Sequence, residues 1–274
     1  MNGPFTFGYR IDLERIAQLR QDAVDFRSHV DGLYSAPPEI DPRPWHRIEN
    51  QGSMGSCQGH ALSSVCEMAY HIATGAVTQF SPLFAYYATQ QVDGLLGRDD
   101  GSTIAGGMQC AKQFGACPLE AMPYPNPVRY TGRFTANAFE AAEPFKIRSH
   151  AVCQSYDDVF AFLSSGQGGV EIGINWGSSM TPNRDGVIEQ FHPGRGGHAV
   201  CFLGYSRRED DQGRKYLWLA NSWSEEWGDR GWAEISPRAV DQMAQHRDTV
   251  MIGLSDLSTP TPRSIDWVKN SVFT

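Results

Sequence analysis

Residues 50–61 read NQGSMGSCQGHA, which sets Gln51 six residues ahead of Cys57 among glycines and serines. The following segment, CQGHALSSVCEMAYHIAT, carries Ala61, Val65, Met68 and Ile72 at helical spacing. This spacing predicts that Gly55 and Ser56 end a turn and that Cys57 opens a helix. A cysteine at a helix N-terminus is suited to work as a thiolate, the form that attacks carbonyl carbon, when a cation also stands nearby.

Two downstream motifs supply matching chemistry. RGGHAVCFLGY holds His198, and LANSWSEEWGDRGW holds Asn221. His198 would provide the cation. Asn221 can accept a hydrogen bond from one imidazole nitrogen and leave the other facing the sulfur, while the Gln51 amide and the Cys57 backbone N–H can donate to an oxyanion. Each residue alone has a plainer reading: a buried structural thiol, a histidine beginning a strand, an asparagine turning one. Their joint occurrence, each in its own local motif, favours the catalytic reading.

Together these residues resemble the papain family of cysteine peptidases. The resemblance runs from about Asp41 to Ile252, with landmarks in the family's order. From Cys57 to His198 is 141 residues, inside the family's range of about 130–150, and Asn221 lies 23 further on. SPLFAYYATQ followed by DGSTIAGGMQCAKQFGACPLEAMPYP resembles the family's helix, substrate-strand glycines, second helix and proline-tyrosine turn. The resemblance implies that Gly101 and Ser102 hold an extended peptide through backbone groups, and that Trp223 lies on the leaving-group side. The pocket for the substrate side chain would then lie near Gly101, Ser102 and Ile172 to Ile174. Met54, Gln58 and the opening FGYRIDL resemble the bacterial and viral branch, and Gly197 stands where an aspartate is common.

The expected fold is α+β. Residues 57 to about 130 read as mainly helical, whereas GGVEIGINW, HAVCFLGY, KYLWLANSW and GWAEIS read as strands within about 145–252. The resemblance implies a helical left lobe and a β-barrel right lobe, with the cleft between them. Residues 1–40 form a leader, 41–254 a peptidase domain, and 255–274 a polar tail. Within the leader, Ile16, Leu19, Ala23, Phe26 and Val30 form one apolar helical stripe that must rest on something. Two arrangements suit it: the chain near Leu33 to Pro38 covers Cys57 as an inhibitory segment, or the leader packs away from the cleft as a permanent brace or binds a partner, with the intact chain already competent. Its shortness favours the brace.

Composition narrows the partners. The chain has 274 residues, 41% of them hydrophobic, and a formal charge of −8 with no basic run, which argues against nucleic acid as a partner. No apolar run approaches the ~20 residues needed to cross a bilayer, and the N-terminus lacks a signal-peptide pattern, so a cytoplasmic protein is expected. The six cysteines, at 57, 66, 110, 117, 153 and 201, leave an odd number once Cys57 is reserved, and read best as buried free thiols, with a Cys110–Cys117 pair as the alternative. His60, His71 and His192 lack partners at zinc spacing. The reading is therefore a cysteine endopeptidase acting on a peptide or protein substrate through a Cys57 thioester, with His198 as acid and base and no metal or organic cofactor. The competing readings are a peptide ligase or transamidase on the same fold, and an assembly component, such as a virion-associated protein or a delivered effector with a host-protein partner.

Overall fold

Cys57 is the first residue of an 18-residue helix, α2 (Cys57–Thr74), in a computed structural model that describes residues 6–23 and 36–258. The helix is buried along most of its length, including every residue from Cys57 to Ser63. It ends where Gly75 adopts φ 71° and donates its N–H to the His71 carbonyl, the left-handed cap that glycine adopts without a steric penalty. The two helices that follow are capped by their own sequences. Ser81 accepts from the Phe84 amide at the head of α3 (Pro82–Asp93), and Thr103 accepts from the Gly106 amide at the head of α4 (Ile104–Gln113). Shorter helices α5 (Ala138–Ala142), α6 (Tyr156–Ser164) and α7 (Pro237–Ala244) decorate the second half of the chain.

The strands are β1 (Ile147–Val152), β2 (Val170–Trp176), β3 (Val187–Ile188), β4 (Gly196–Glu209), β5 (Lys215–Ala220), β6 (Trp232–Ile235) and β7 (Val250–Leu257). They form one sheet in the order β1-β7-β2-β4-β5-β6-β3, antiparallel except for the parallel β3–β6 pair. The end strands do not pair with each other. The sheet is therefore not closed, and the β-barrel expected from the resemblance describes it only loosely; β3, at one edge, is two residues long and pairs with β6. The α+β class holds. Helix α2 lies against β2, β4 and β7, burying Val65, Cys66 and Met68 with Val200, Phe202 and Ile252 in the main core. A second, aromatic core around Phe84, Tyr87, Phe134 and Phe139 fills the far side of α3.

Register in this sheet brings the distant motifs together. Ile174 pairs with His198 and Gly173 with Ala199, while the Gln51 amide donates to the Ser222 carbonyl at 2.9 Å and Asn50 bridges Trp223. All six cysteines are buried and none is in a disulfide, so the Cys110–Cys117 pair does not form. No helix among the described residues is long and apolar enough to cross a membrane.

The leader contributes a ten-residue helix, α1 (Leu13–Asp22), capped by Asp12. Ile16 and Leu19 are its buried residues, as the stripe predicts, but the helix stops at Asp22 and Ala23 is already extended. Phe26 and Val30 lie outside the described residues. Arg15 reaches Asp93, and its second nitrogen donates to Gln109 at 3.1 Å; His150 Nε2 donates to the Leu19 carbonyl at 3.0 Å. These contacts lay α1 across α4 and β1.

Candidate active site

The turn before α2 is held from three sides. The Gly55 amide donates to Asp99 (2.9 Å), whose same oxygen accepts from the Tyr86 hydroxyl (2.7 Å). Ser56 Oγ lies 2.6 Å from the Tyr124 hydroxyl, which donates to the Gln51 carbonyl at 3.0 Å. Asp99, Tyr86 and Tyr124 carry no local motif, and the sequence offers no signal that they serve this turn.

Gln51 and Asn221 share one chain of hydrogen bonds with His198. Ser222 Oγ donates to Gln51 Oε1 at 2.7 Å, the Ser222 amide donates to Asn221 Oδ1 at 2.8 Å, and His198 Nε2 lies 2.8 Å from that same oxygen. An oxygen already fixed as acceptor by a backbone N–H can only accept from the ring. Nε2 therefore carries the proton and Nδ1 presents a lone pair. Nδ1 is buried and has no hydrogen-bond partner. The ring is clamped by Trp223, stacked at 4.4 Å between centroids, and by the edge of Trp176 at 4.8 Å. The amides of Ala199, Gly8 and Gln58 point at the Cys57 sulfur, so the residue following His198 touches the cysteine.

Residues 6–10 lie in the cleft, a segment that neither leader arrangement placed there. The Tyr9 amide donates to the Gly197 carbonyl (3.0 Å), Ser102 donates to the Gly8 carbonyl (2.9 Å), and Arg10 donates to the Ser102 carbonyl (2.9 Å). Gln51 Nε2 donates to the carbonyl of Thr6 (3.1 Å) and to that of Met54 (2.9 Å). Phe7 packs edge-on to both His198 and Trp223. Gly8 crosses so close to the turn that a Cβ there would lie 1.9 Å from the Gly55 carbonyl oxygen. Cys57 and His198 are consequently 0% exposed. The leader therefore enters the cleft through residues 6–10, where the brace arrangement had it packed away, and Leu33 of the alternative route lies outside the described residues. Pro37 and Ile40 instead hydrogen-bond Tyr205 on β4.

Of the residues expected to hold an extended chain, Ser102 does so through both backbone groups. Gly101 turns its own inward, its N–H donating to Tyr86 and its carbonyl accepting from Gln90. Trp223 lines a cleft of about 1170 Å³ with Phe7, Trp176, Asn183, Glu226 and Trp227. Ile172 and Ile174 are fully buried in the core, whereas Glu171 and Gly173 between and beside them face Tyr9's side of the strand.

Burial under the leader reverses the ionisation expected from sequence. It pushes the Cys57 thiol up to about 11, outweighing the three amides that pull it down. Burial also lowers His198 to about 4, against the Asn221 hydrogen bond. At neutral pH Cys57 is held as a thiol and His198 as a neutral imidazole, since taking either charge out of water costs more than the local dipoles return.

The sequence pattern of the papain family cysteine proteases matches residues 36–253. This chain belongs to the papain family. It is a cysteine endopeptidase. Solved structures agree in fold. Xylellain, a cysteine protease from Xylella fastidiosa, is 21% identical, with a TM-score of 0.66 and 93% of each chain covered. The cysteine protease CMS1MS2 of Carica candamarcensis, in complex with E-64, is 19% identical, with a TM-score of 0.59 over 80% of this chain and 99% of that one. Bromelain of Ananas comosus, in complex with the E64 inhibitor, is 16% identical over the same shares, with a TM-score of 0.58. No curated protein sequence matches. The papain-family match begins at residue 36, so residues 6–23, including the cleft-filling strand, lie outside it.

Proposed function

We propose that Cys57 is the nucleophile, His198 its acid and base, Asn221 the residue that orients the imidazole, and Gln51 the oxyanion donor beside the Cys57 amide. The observation that carries this reading is the bare Nδ1 of His198, with Nε2 tied to Asn221. With a substrate in place of the leader, the Cys57 proton passes to Nδ1 and the sulfur forms a bond to the carbonyl carbon. The carbonyl electrons move to an oxygen held by Gln51 Nε2 and the Cys57 N–H. Collapse of this intermediate breaks the C–N bond as the imidazolium protonates the departing amine. The imidazole then takes a proton from water, which attacks the thioester and frees the acid product and the thiol. Substrate is an extended peptide on Ser102 and Gly197, with its leaving group toward Trp223.

The chain in its intact form is latent. The Thr6 carbonyl occupies the Gln51 donor, and the Gly8 N–H points at the Cys57 sulfur. Residues 1–40 are accordingly a leader that inhibits through residues 6–10, and 41–254 the peptidase domain. Peptide hydrolysis should rise when the leader is cut between residues 23 and 36 of the folded chain. In that cut protein Cys57→Ala and His198→Ala should abolish turnover, with Asn221→Ala milder. Near-normal hydrolysis by the His198 variant would move the proton-transfer role elsewhere.

A further inference from the structure

The Asn221 amide has two ends, and the bonds described so far engage one of them. Its Oδ1 accepts from the Ser222 amide and from His198 Nε2, each at 2.8 Å. Its Nδ2 is buried and has no hydrogen-bond partner among the described residues, although Asn221 is only 4% exposed. A buried NH2 without an acceptor is costly, so native structures rarely leave one.

A complementary group in the same condition lines the same small cavity. His60, three residues past Cys57 on α2, is 3% exposed, and its Nδ1 lies 3.0 Å from the Ser56 carbonyl oxygen. A carbonyl oxygen only accepts, so Nδ1 carries the proton and Nε2 presents a lone pair. Burial lowers this imidazole to about 4, which keeps it neutral at pH 7. The Tyr124 ring packs against it at 4.8 Å between centroids and fixes its plane. His60 Nε2 is likewise buried and has no hydrogen-bond partner among the described residues. His60 and Asn221 line a cavity of about 10 Å³ together with Glu49, Ala199 and Cys201. That is close to the space one water molecule needs in a polar site.

We infer that this cavity is a structural water site through which His60 positions Asn221 behind the catalytic imidazole. The water oxygen accepts from Asn221 Nδ2, and one of its O–H groups donates to His60 Nε2. An ion does not suit the pair, because the Nδ2 donor repels a cation and the His60 lone pair repels an anion. The inference rests on the proposed role of Asn221 and adds a positioning residue that does not touch substrate. The bridge supplies the NH2 end with an acceptor and so keeps the oxygen end toward His198. A donor engaged at Nδ2 also makes Oδ1 a stronger acceptor, which supports the charged form of His198 when a proton arrives at Nδ1.

The test begins with a crystal structure of the intact chain at a resolution that shows ordered water. Density for one water within about 3.2 Å of both nitrogens is expected. A cavity without density, or a direct hydrogen bond between the two nitrogens, overturns the inference. Activity is read on the chain carrying a specific protease site between residues 23 and 36, folded intact and then cut. His60→Leu removes the acceptor, and kcat for peptide hydrolysis should fall by about tenfold with little change in KM. In that variant the alkaline limb of kcat/KM against pH, where the imidazolium loses its proton, should move to lower pH. His60→Gln returns an acceptor at the far end of the side chain and should restore both. A folded His60→Leu protein with the parent's kcat and pH profile overturns the positioning role. The water found in a cut protein that turns over no peptide keeps the site and overturns the peptidase assignment instead. If His60→Leu does not fold, the crystallographic water and a parent-like profile in His60→Gln decide.

Discussion

Replacing Tyr9 by alanine in the intact chain is the sharpest probe of latency, because the ring is the largest buried group of residues 6–10 and lies outside the proposed catalytic set. Its burial at 6% exposure places it among aromatic truncations that cost about 3–5 kcal/mol when made in a core. Taking the lower figure, since the vacated pocket opens to water once the strand lifts, docking of the strand weakens by about 3 kcal/mol. That is a shift of about 10²-fold in the ratio of covered to open cleft. The assay is the rate at which a small neutral alkylating agent modifies Cys57, mapped by mass spectrometry against the other five thiols, alongside hydrolysis of a fluorogenic peptide. Both rates should rise by about 10² until the open form dominates. The thiol should also titrate lower than the value near 11 that burial imposes, so its alkylation should reach a plateau at lower pH than in the parent. A variant that folds like the parent and whose Cys57 is modified no faster would show that residues 6–10 do not control access.

Two further outcomes follow from buried charge. Arg15→Ala removes the cation from the Asp93 carboxylate, whose side chain is 2% exposed, and should lower stability by about 3 kcal/mol, read as a fall in Tm; an unchanged Tm would mean that the caps from Thr103 suffice. Glu171 ionises above about 4.5 in the unfolded chain but keeps its proton when folded, so the folded state holds the extra proton and stability falls as pH rises, by up to about 1.4 kcal/mol per pH unit. His60 and His198, both lowered to about 4, oppose this only below their ordinary 6.5. Glu171→Gln should therefore gain stability over the parent as pH rises above about 4.5 and show no such gain below it; parallel melting curves across that range would refute it.

The start of α2 was readable because the determinants are local: a turn, a helical period and a nucleophile between them. His198 and Asn221 were readable for the same reason, each in a short motif of its own. Glu171 was not. In VEIGINW the alternation of Glu171, Gly173 and Asn175 with isoleucines describes a strand with one wet face, and only the arrival of Tyr9 from 160 residues away turns that face into a closed pocket. The leader stripe likewise announced a helix needing a surface, but spacing alone cannot name the surface. Ile16 and Leu19 found α4 and β1, and the resulting geometry left Phe7 to Arg10 pointed through the cleft. The open sheet also escaped the sequence, since closure depends on whether the edge strands β1 and β3 meet.

The leader grips the body at two separate places, with only Ile11 and Asp12 between the strand in the cleft and the helix on α4 and β1. When the strand lifts, the helix still holds it nearby at an effective concentration in the millimolar range set by so short a tether. Opening is then a local and reversible event. A scarce peptide in free solution loses to the tethered strand, whereas one presented densely, on a surface or in a crowded assembly, wins. The two grips thus set the local concentration that a competing peptide must reach to displace the strand while the leader is intact.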